Sequence, residues 1–187
     1  DVLDVYEERS TITDIFMGKS VMPYPTRFVY GDPDDIATPR IDIVAGNAVG
    51  VRYLLESSPT EMRSSPYFRL AEVGSAQIIQ HLVDFVSDPQ LAEFYDLVII
   101  DTGPSESPLF SAALNASTHV FCPYQPESKS VSGIEALVDA LRNAMENRAK
   151  YRYRPEQLKL LGIAPNIVDT RSADHLECIA RAMADAG

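Results

Sequence analysis

Residues 95–110 read YDLVIIDTGPSESPLF, and the reading of this stretch decides the fold. Leu97 to Ile100 is an unbroken apolar run that stops at Asp101 and is followed at once by Thr102-Gly103-Pro104. Such a run, bounded by turn residues, fits a strand buried on both faces in the middle of a parallel sheet; a strand with one wet face would alternate. The carboxylate of Asp101 then stands at the strand's carboxyl end. In open α/β sheets ligands bind at that edge, where loops and helix N-termini converge. Gly103 lets a backbone approach a ligand, and Pro104 fixes the turn.

Working outward, strand-like and helix-like segments alternate. Residues 11–17 (TITDIFM) have helical spacing, with Ile12, Ile15 and Phe16 on one face and a threonine able to cap. A loop rich in Pro, Asp and Gly follows over 23–39. Ile41–Ala45 reads as a strand closed by Gly46-Asn47, 49–56 as a short helix and 57–66 as a loop. Residues 71–86 form an amphipathic helix with a stripe of Ala76, Ile79, Leu82, Val83 and Val86, ended or interrupted by Asp88-Pro89.

Beyond Asp101 the pattern continues. Residues 109–116 form a short apolar helix and His119–Pro123 a buried strand. Residues 130–148 carry Val131, Ile134, Leu137, Val138, Leu141 and Met145 at the helical period; 158–168 is a last strand and 174–184 a last helix. The alternation predicts an α/β fold: a mostly parallel twisted sheet with helices on both faces, in one domain over 1–187. A doubly wound sheet ordinarily opens on a strand, so a first strand is expected outside these residues.

The chain of 187 residues is long enough for a proper core, and 45 % apolar with 23 % charged residues argues for a globular protein and against disorder. No apolar stretch approaches the ~20 residues that cross a bilayer, and the acidic opening DVLDVYEERS is no signal peptide. Cys122 and Cys178 lack CxxC spacing and sit in apolar surroundings, which reads as reduced core thiols of a cytoplasmic protein. A net charge of −11 disfavours nucleic-acid binding by the segment as a whole. Against it stands one basic stretch, Arg148 to Arg154 (RAKYRYR). It reads most simply as a solvated helix end complementing the dipole, and more sharply as a local DNA-contacting patch.

A hydrophobic strand ending in Asp is the Walker B pattern, in which one rigidly placed carboxylate holds Mg²⁺, usually through water, beside nucleotide phosphates. The same pattern also ends ordinary strands with a cap or turn residue. Gly18-Lys19-Ser20 matches the last three positions of a phosphate loop, but Thr13 stands where its first Gly belongs and no strand precedes it. Gly18 is therefore read as a helix C-cap. Asn166, at the end of a strand, has the amide donor and acceptor that an adenine edge requires, and equally the chemistry of a turn residue. His81, His119 and His175 share no metal-ligand spacing, and Ser105 and Ser107 sit in no GxSxG elbow.

Three stretches together resemble the ParA/MinD family of deviant Walker-motif ATPases, most closely its chromosome- and plasmid-partition branch. YDLVIIDTGPSESPLFSAALNAS resembles the Walker B and switch II segment with the helix after it. HVFCPYQPESKSVSGIEALVDAL resembles the next strand and helix, and LKLLGIAPNIVDTRSADHLECI the strand ending in Asn with its following helix. STITDIFMGKS and IDIVAGN resemble segments downstream of the family's phosphate loop.

The resemblance implies a P-loop ATPase that binds ATP and Mg²⁺, forms a homodimer around ATP, binds DNA non-specifically, and is stimulated by a ParB-like partner. It places Asp101 as the Walker B carboxylate near Mg²⁺, Thr102, Gly103 and Pro104 in the switch that senses the γ-phosphate, and Asn166 against adenine. Gly103 replaces the first Pro of the family's switch. The KGGxxK phosphate loop and the switch I Asp do not occur in 1–187, so this chain alone is expected to be inactive. Two alternatives carry the same fold: a MinD-like or conjugation-related positioning ATPase, and a non-hydrolysing interaction module.

Overall fold

The computed structural model describes residues 10–25, 41–56, 73–103, 107–153 and 157–185. The chain divides into two compact units, residues 1–98 and 99–187.

In the first unit, α1 (Ile12–Phe16) begins at Thr11 and ends in a left-handed turn at Gly18, φ 71°. The Asp14 carboxylate accepts from the Thr11 N–H at 2.8 Å. At the other end Gly18 N–H donates to Ile15 O at 2.8 Å, and Lys19 N–H to Asp14 O at 2.9 Å. This paired closure satisfies carbonyls that the helix leaves open, and it needs a residue tolerant of positive φ.

A two-residue antiparallel pair, β1 (Tyr24–Pro25) with β2 (Asp42–Ile43), follows. Tyr24 and Pro25 lie within the stretch that composition marks as loop. Asn47 Oδ1 then caps α2 (Ala48–Glu56) by accepting from Gly50 N–H at 2.9 Å.

Next come α3 (Ser75–Val86) and α4 (Pro89–Phe94), the latter started by Asp88 Oδ1 accepting from Gln90 N–H at 2.9 Å. Asp88-Pro89 thus ends one helix and opens another. Ile15 and Phe16 of α1 and Ile78, Ile79, Leu82 and Val83 of α3 are buried, and α1 packs against α3. Ala76 is exposed, so the buried stripe of α3 is rotated toward Ile78. The predicted loop over 57–66 lies outside the described residues.

The second unit holds α5 (Pro108–Ala116), β3 (His119–Tyr124), α6 (Ser128–Tyr151), β4 (Lys159–Pro165) and α7 (Ala173–Asp185). Ser107 Oγ caps α5 by accepting from Phe110 N–H at 3.1 Å, with Pro108 at the first helical position, where a missing N–H costs nothing. β3 and β4 pair in parallel, from His119 opposite Lys159 to Tyr124 opposite Pro165, with an irregularity between Val120 and Phe121. Two parallel neighbours need a crossover, and α6 supplies it. This β3–α6–β4 unit is the α/β organisation that the sequence pattern predicts.

Val120, Cys122 and Tyr124 project from one face of β3. Around them pack Leu114 of α5, Ile134, Leu137, Leu141 and Ala144 of α6, and Ala182 of α7. The helices of this unit gather on that face. On the other, Phe121 is 60 % and Leu161 67 % exposed.

The stretch Leu97–Ile100 departs from expectation. It belongs to no strand, Leu97 is 74 % and Ile99 81 % exposed, and the boundary between the two units runs through it. A strand buried on both faces exists only when neighbours pair with its two edges. Among the described residues the parallel ladder joins β3 to β4, and 97–100 is no part of it.

Candidate functional site

The parallel pair sets up a carboxyl edge, and its hydrogen bonds decide what stands there. Asn166 N–H donates to Tyr124 O at 2.7 Å, which extends the β3–β4 ladder and fixes Asn166 at the strand's end. Ile167 follows at φ 55°, a left-handed conformation that a β-branched residue seldom adopts. That turn brings Ile167 N–H to 3.0 Å from Asn166 Oδ1. A backbone N–H only donates, so Oδ1 is the acceptor here, and the Nδ2 donors are not engaged by this bond. Asn166 is exposed, as binding to a ligand requires.

The loop beyond is held by Asp169. Its Oδ1 accepts from the Arg171 N–H at 3.0 Å and from Arg171 Nε at 3.2 Å, and these bonds hold its carboxyl below the ordinary value. Asp169 N–H donates to His175 Nδ1 at 3.1 Å, so that nitrogen carries no proton and the ring's hydrogen is on Nε2. Ser172 Oγ accepts from His175 N–H at 3.3 Å in the first turn of α7.

Between the start of α6 and α7 opens a cleft of about 390 Å³, lined by Pro126, Glu127, Asp174, Glu177, Cys178 and Arg181 among others. Three carboxylates face one guanidinium. A triphosphate is repelled by such a lining, whereas a neutral heterocycle is not.

Asp101, Thr102 and Gly103 lie in the second unit, all exposed and in no regular element. Pro104 lies outside the described residues, as does Ser105. A Cβ built on Gly103 meets nothing within 4 Å, so no close approach in this structure demands a glycine there. Asp101 and Asn166 share no hydrogen bond. Among the described residues no cluster of three or more His, Cys, Asp or Glu could enclose a metal ion. An exposed carboxylate such as that of Asp101 fits Mg²⁺, which keeps most of its waters and takes one or two carboxylates plus substrate phosphates.

The Gly18-Lys19-Ser20 segment cannot cradle a phosphate in this geometry. The N–H groups of Gly18 and Lys19 are bonded to Ile15 O and Asp14 O, and Lys19 Nζ pairs with Asp14 Oδ1 at 2.7 Å. Burial raises the Asp14 pKa, but the bonds from Lys19 and Thr11 outweigh it and hold the carboxyl below its ordinary value.

The basic stretch at the end of α6 separates into two roles. Arg148 is 5 % exposed, not solvated: its Nη2 donates to Leu114 O at 2.6 Å and also to Ser117 O, at the end of α5. Lys150 and Arg152 are exposed, with Lys150 Nζ 4.9 Å from the centre of the Tyr151 ring and Tyr151 5.5 Å from Tyr153. Arg154 lies outside the described residues. The role of Arg148 was open to detection: it continues the spacing Ile134, Leu137, Leu141, Ala144 at three- and four-residue steps. Both cysteines are free and partly buried, and burial pushes the Cys122 thiol up, away from the reactive thiolate.

A family model described as "AAA domain" matches residues 64–152. Protein IncC of Escherichia coli is 31 % identical over 90 residues, 48 % of this chain and 23 % of that protein. The chromosome-partitioning ATPase Soj of Thermus thermophilus is 32 % identical over 149 residues, 75 % of this chain and 56 % of its own. The ParA family protein MG470 of Mycoplasma genitalium is 29 % identical over 90 residues, 48 % of this chain and 30 % of that one. The chain therefore spans from about a quarter to just over half the length of these relatives.

Proposed function

The chain is related, over part of its length, to the ParA/MinD-type P-loop ATPases, and from that premise we propose that it forms the switch and base-binding part of a partition-type ATPase. The observation that carries the reading is the 149-residue similarity to a chromosome-partitioning ATPase, which spans both units of the chain. The β3–α6–β4 crossover supports it. Asp101 takes the Walker B role and would hold Mg²⁺, which when bound neutralises phosphate charge. Thr102, Gly103 and Pro104 sense the terminal phosphate. Asn166 meets the adenine edge with its Nδ2 donors, and the carboxylates of the cleft between α6 and α7 keep phosphates out of that cleft.

Phosphoryl transfer depends on positioning and electrostatics that a phosphate loop supplies. Residues 1–187 contain none, so alone they hydrolyse ATP negligibly, and activity belongs to a protein that includes the loop. In that protein ATP and Mg²⁺ drive homodimerisation, the dimer binds DNA non-specifically, and a ParB-like partner triggers release. The test is nucleotide-dependent dimerisation of the protein carrying both this chain and a KGGxxK loop. Dimer formation with ATP and Mg²⁺, lost in Asp101→Ala, supports the reading; an oligomeric state indifferent to nucleotide sinks it in favour of an interaction module.

A further inference from the structure

We propose that the left-handed turn at Ile167 sets the base specificity of the site: its main-chain N–H holds the Asn166 carboxamide one way round, and so selects a purine with an amino group at position 6 over one with an oxo group there. The inference rests on the reading of Asn166 as the base contact. It goes beyond that reading in making Ile167 a positioning residue and in naming what the site excludes.

The chain is fixed on both sides of the turn. Asn166 N–H is bonded to Tyr124 O at 2.7 Å, at the end of the parallel ladder. Beyond the turn, Asp169 is tied to Arg171 through its carboxylate and to His175 Nδ1 through its N–H. Between these anchors Ile167 stands at φ 55°. A β-branched residue in that conformation is strained, and persists only where its surroundings impose it. Packing of the side chain does not account for it, because Ile167 is 68 % exposed. What the turn does achieve is the 3.0 Å bond from Ile167 N–H to Asn166 Oδ1.

A carboxamide is nearly symmetric in shape and opposite in chemistry at its two ends: the oxygen accepts and the nitrogen donates. Left free, it turns over about a soft terminal torsion and suits either kind of edge. Here, turning over would set Nδ2 against the Ile167 N–H, donor against donor. The bond closes through Cα and Cβ, so it takes the acceptor position of Oδ1 on the Cβ side. The second acceptor position, beside Nδ2, stays available. The amide thus offers an acceptor and a donor side by side in a fixed order.

Adenine complements that order: its 6-amino group donates to Oδ1 while a neighbouring ring nitrogen accepts from Nδ2. A 6-oxo purine puts an acceptor opposite Oδ1. A free amide would answer by turning over; the held one cannot, and the phosphates of a bound nucleotide keep the base from turning over instead.

The test compares ATP with ITP, whose base carries an oxo group at position 6, by titration calorimetry on the protein that carries both this chain and a KGGxxK loop. The unsubstituted protein should prefer ATP by about tenfold or more. Ile167→Pro, which removes both the N–H and the positive φ, should bring the ratio close to one, chiefly through tighter ITP binding. Ile167→Gly, which keeps the N–H and accepts the left-handed conformation, should keep the preference. A merely structural turn would weaken both triphosphates alike, and an unchanged ratio in Ile167→Pro overturns the proposal. So does equal binding of ATP and ITP by the unsubstituted protein. Should the proline variant fail to fold, amide hydrogen exchange of the 187-residue chain decides: the Ile167 N–H must be protected, and exchange at the rate of an unstructured peptide overturns the proposal. Failure of the underlying reading has a different signature: neither triphosphate binds, or Asn166→Ala leaves the affinity for ATP unchanged.

Discussion

The imidazole Nδ1 of His81 lies 2.8 Å from the main-chain carbonyl of Phe16, a residue 65 positions earlier, and because a carbonyl only accepts, His81 donates. The bond closes the end of α1 from α3, while the same ring lies 3.1 Å from where a Cβ on Gly18 would be. One side chain thus satisfies a helix terminus and occupies the space that its glycine leaves.

His81→Ala removes the donor and leaves the Phe16 carbonyl short of a partner, with an expected loss of about 1–3 kcal/mol. Urea unfolding checks this; a loss within experimental error would show that water replaces the ring at no cost.

Gly18→Ala meets two penalties, positive φ and the His81 ring. The backbone term alone is about 1 kcal/mol. In the His81→Ala background the steric part is relieved, so the two substitutions should be less than additive. Strict additivity in a double-mutant cycle would refute the shared contact.

Asp14→Asn tests a pH dependence. The folded carboxyl lies below its ordinary value near 3.8, so its contribution is present above that value and fades as pH falls through the lower folded one. Loss of the charged cap and the Lys19 pair should cost about 1 kcal/mol at neutral pH. The gap between variant and parent should close once pH falls below the folded carboxyl's value. A gap that stays constant down to that point would mean that the carboxylate's charge is irrelevant.

Arg148→Met keeps much of the aliphatic bulk but strips the donors from Leu114 O and Ser117 O. Hydrogen bonds to a charged group put the expected loss at about 2–4 kcal/mol. Arg148→Lys should recover only part of it, because the ammonium ends a shorter side chain and falls short of the place from which Nη2 serves both carbonyls. A thermal melt of the two variants separates the outcomes, and full recovery by lysine would contradict the geometry.

Asp101→Ala should leave the fold almost untouched, within about 0.5 kcal/mol, since the residue is exposed. Appreciable Mg-dependent ATP turnover by the 187-residue chain, abolished by this substitution, would disprove the expectation that the chain alone is inactive.

Local signals carried most of the architecture. The 3.6-residue period of α6, the cap at Gly18 and the strands on either side of α6 are each decided by residues within a few positions, which is why they can be read from sequence. Tertiary relationships could not be read this way. Leu97–Ile100 has strand composition, but composition does not supply the neighbouring strands that a buried strand needs. Within α6, Val138 and Met145 fit the period yet are exposed, while Ala144 and Arg148 are buried. The stripe faces α5, a partner that the helix's own sequence does not name. Asn166 was legible as a strand-end residue with turn chemistry, and it stands at the end of β4. The charge of the adjoining cleft comes from α6 and α7 together and appears only once they meet.

The Arg148 tie also implies an order of events in native-state hydrogen exchange. A 24-residue helix ordinarily frays from both ends. Here the last turn is fastened to a chain segment more than thirty residues earlier, whereas Glu127 gives the first turn no side-chain cap. Amides near residue 148 should therefore exchange only in the larger openings that separate α6 from α5, and those near residue 130 in small local ones. The helix would be a lever with one fixed end, loosest where it borders the cleft.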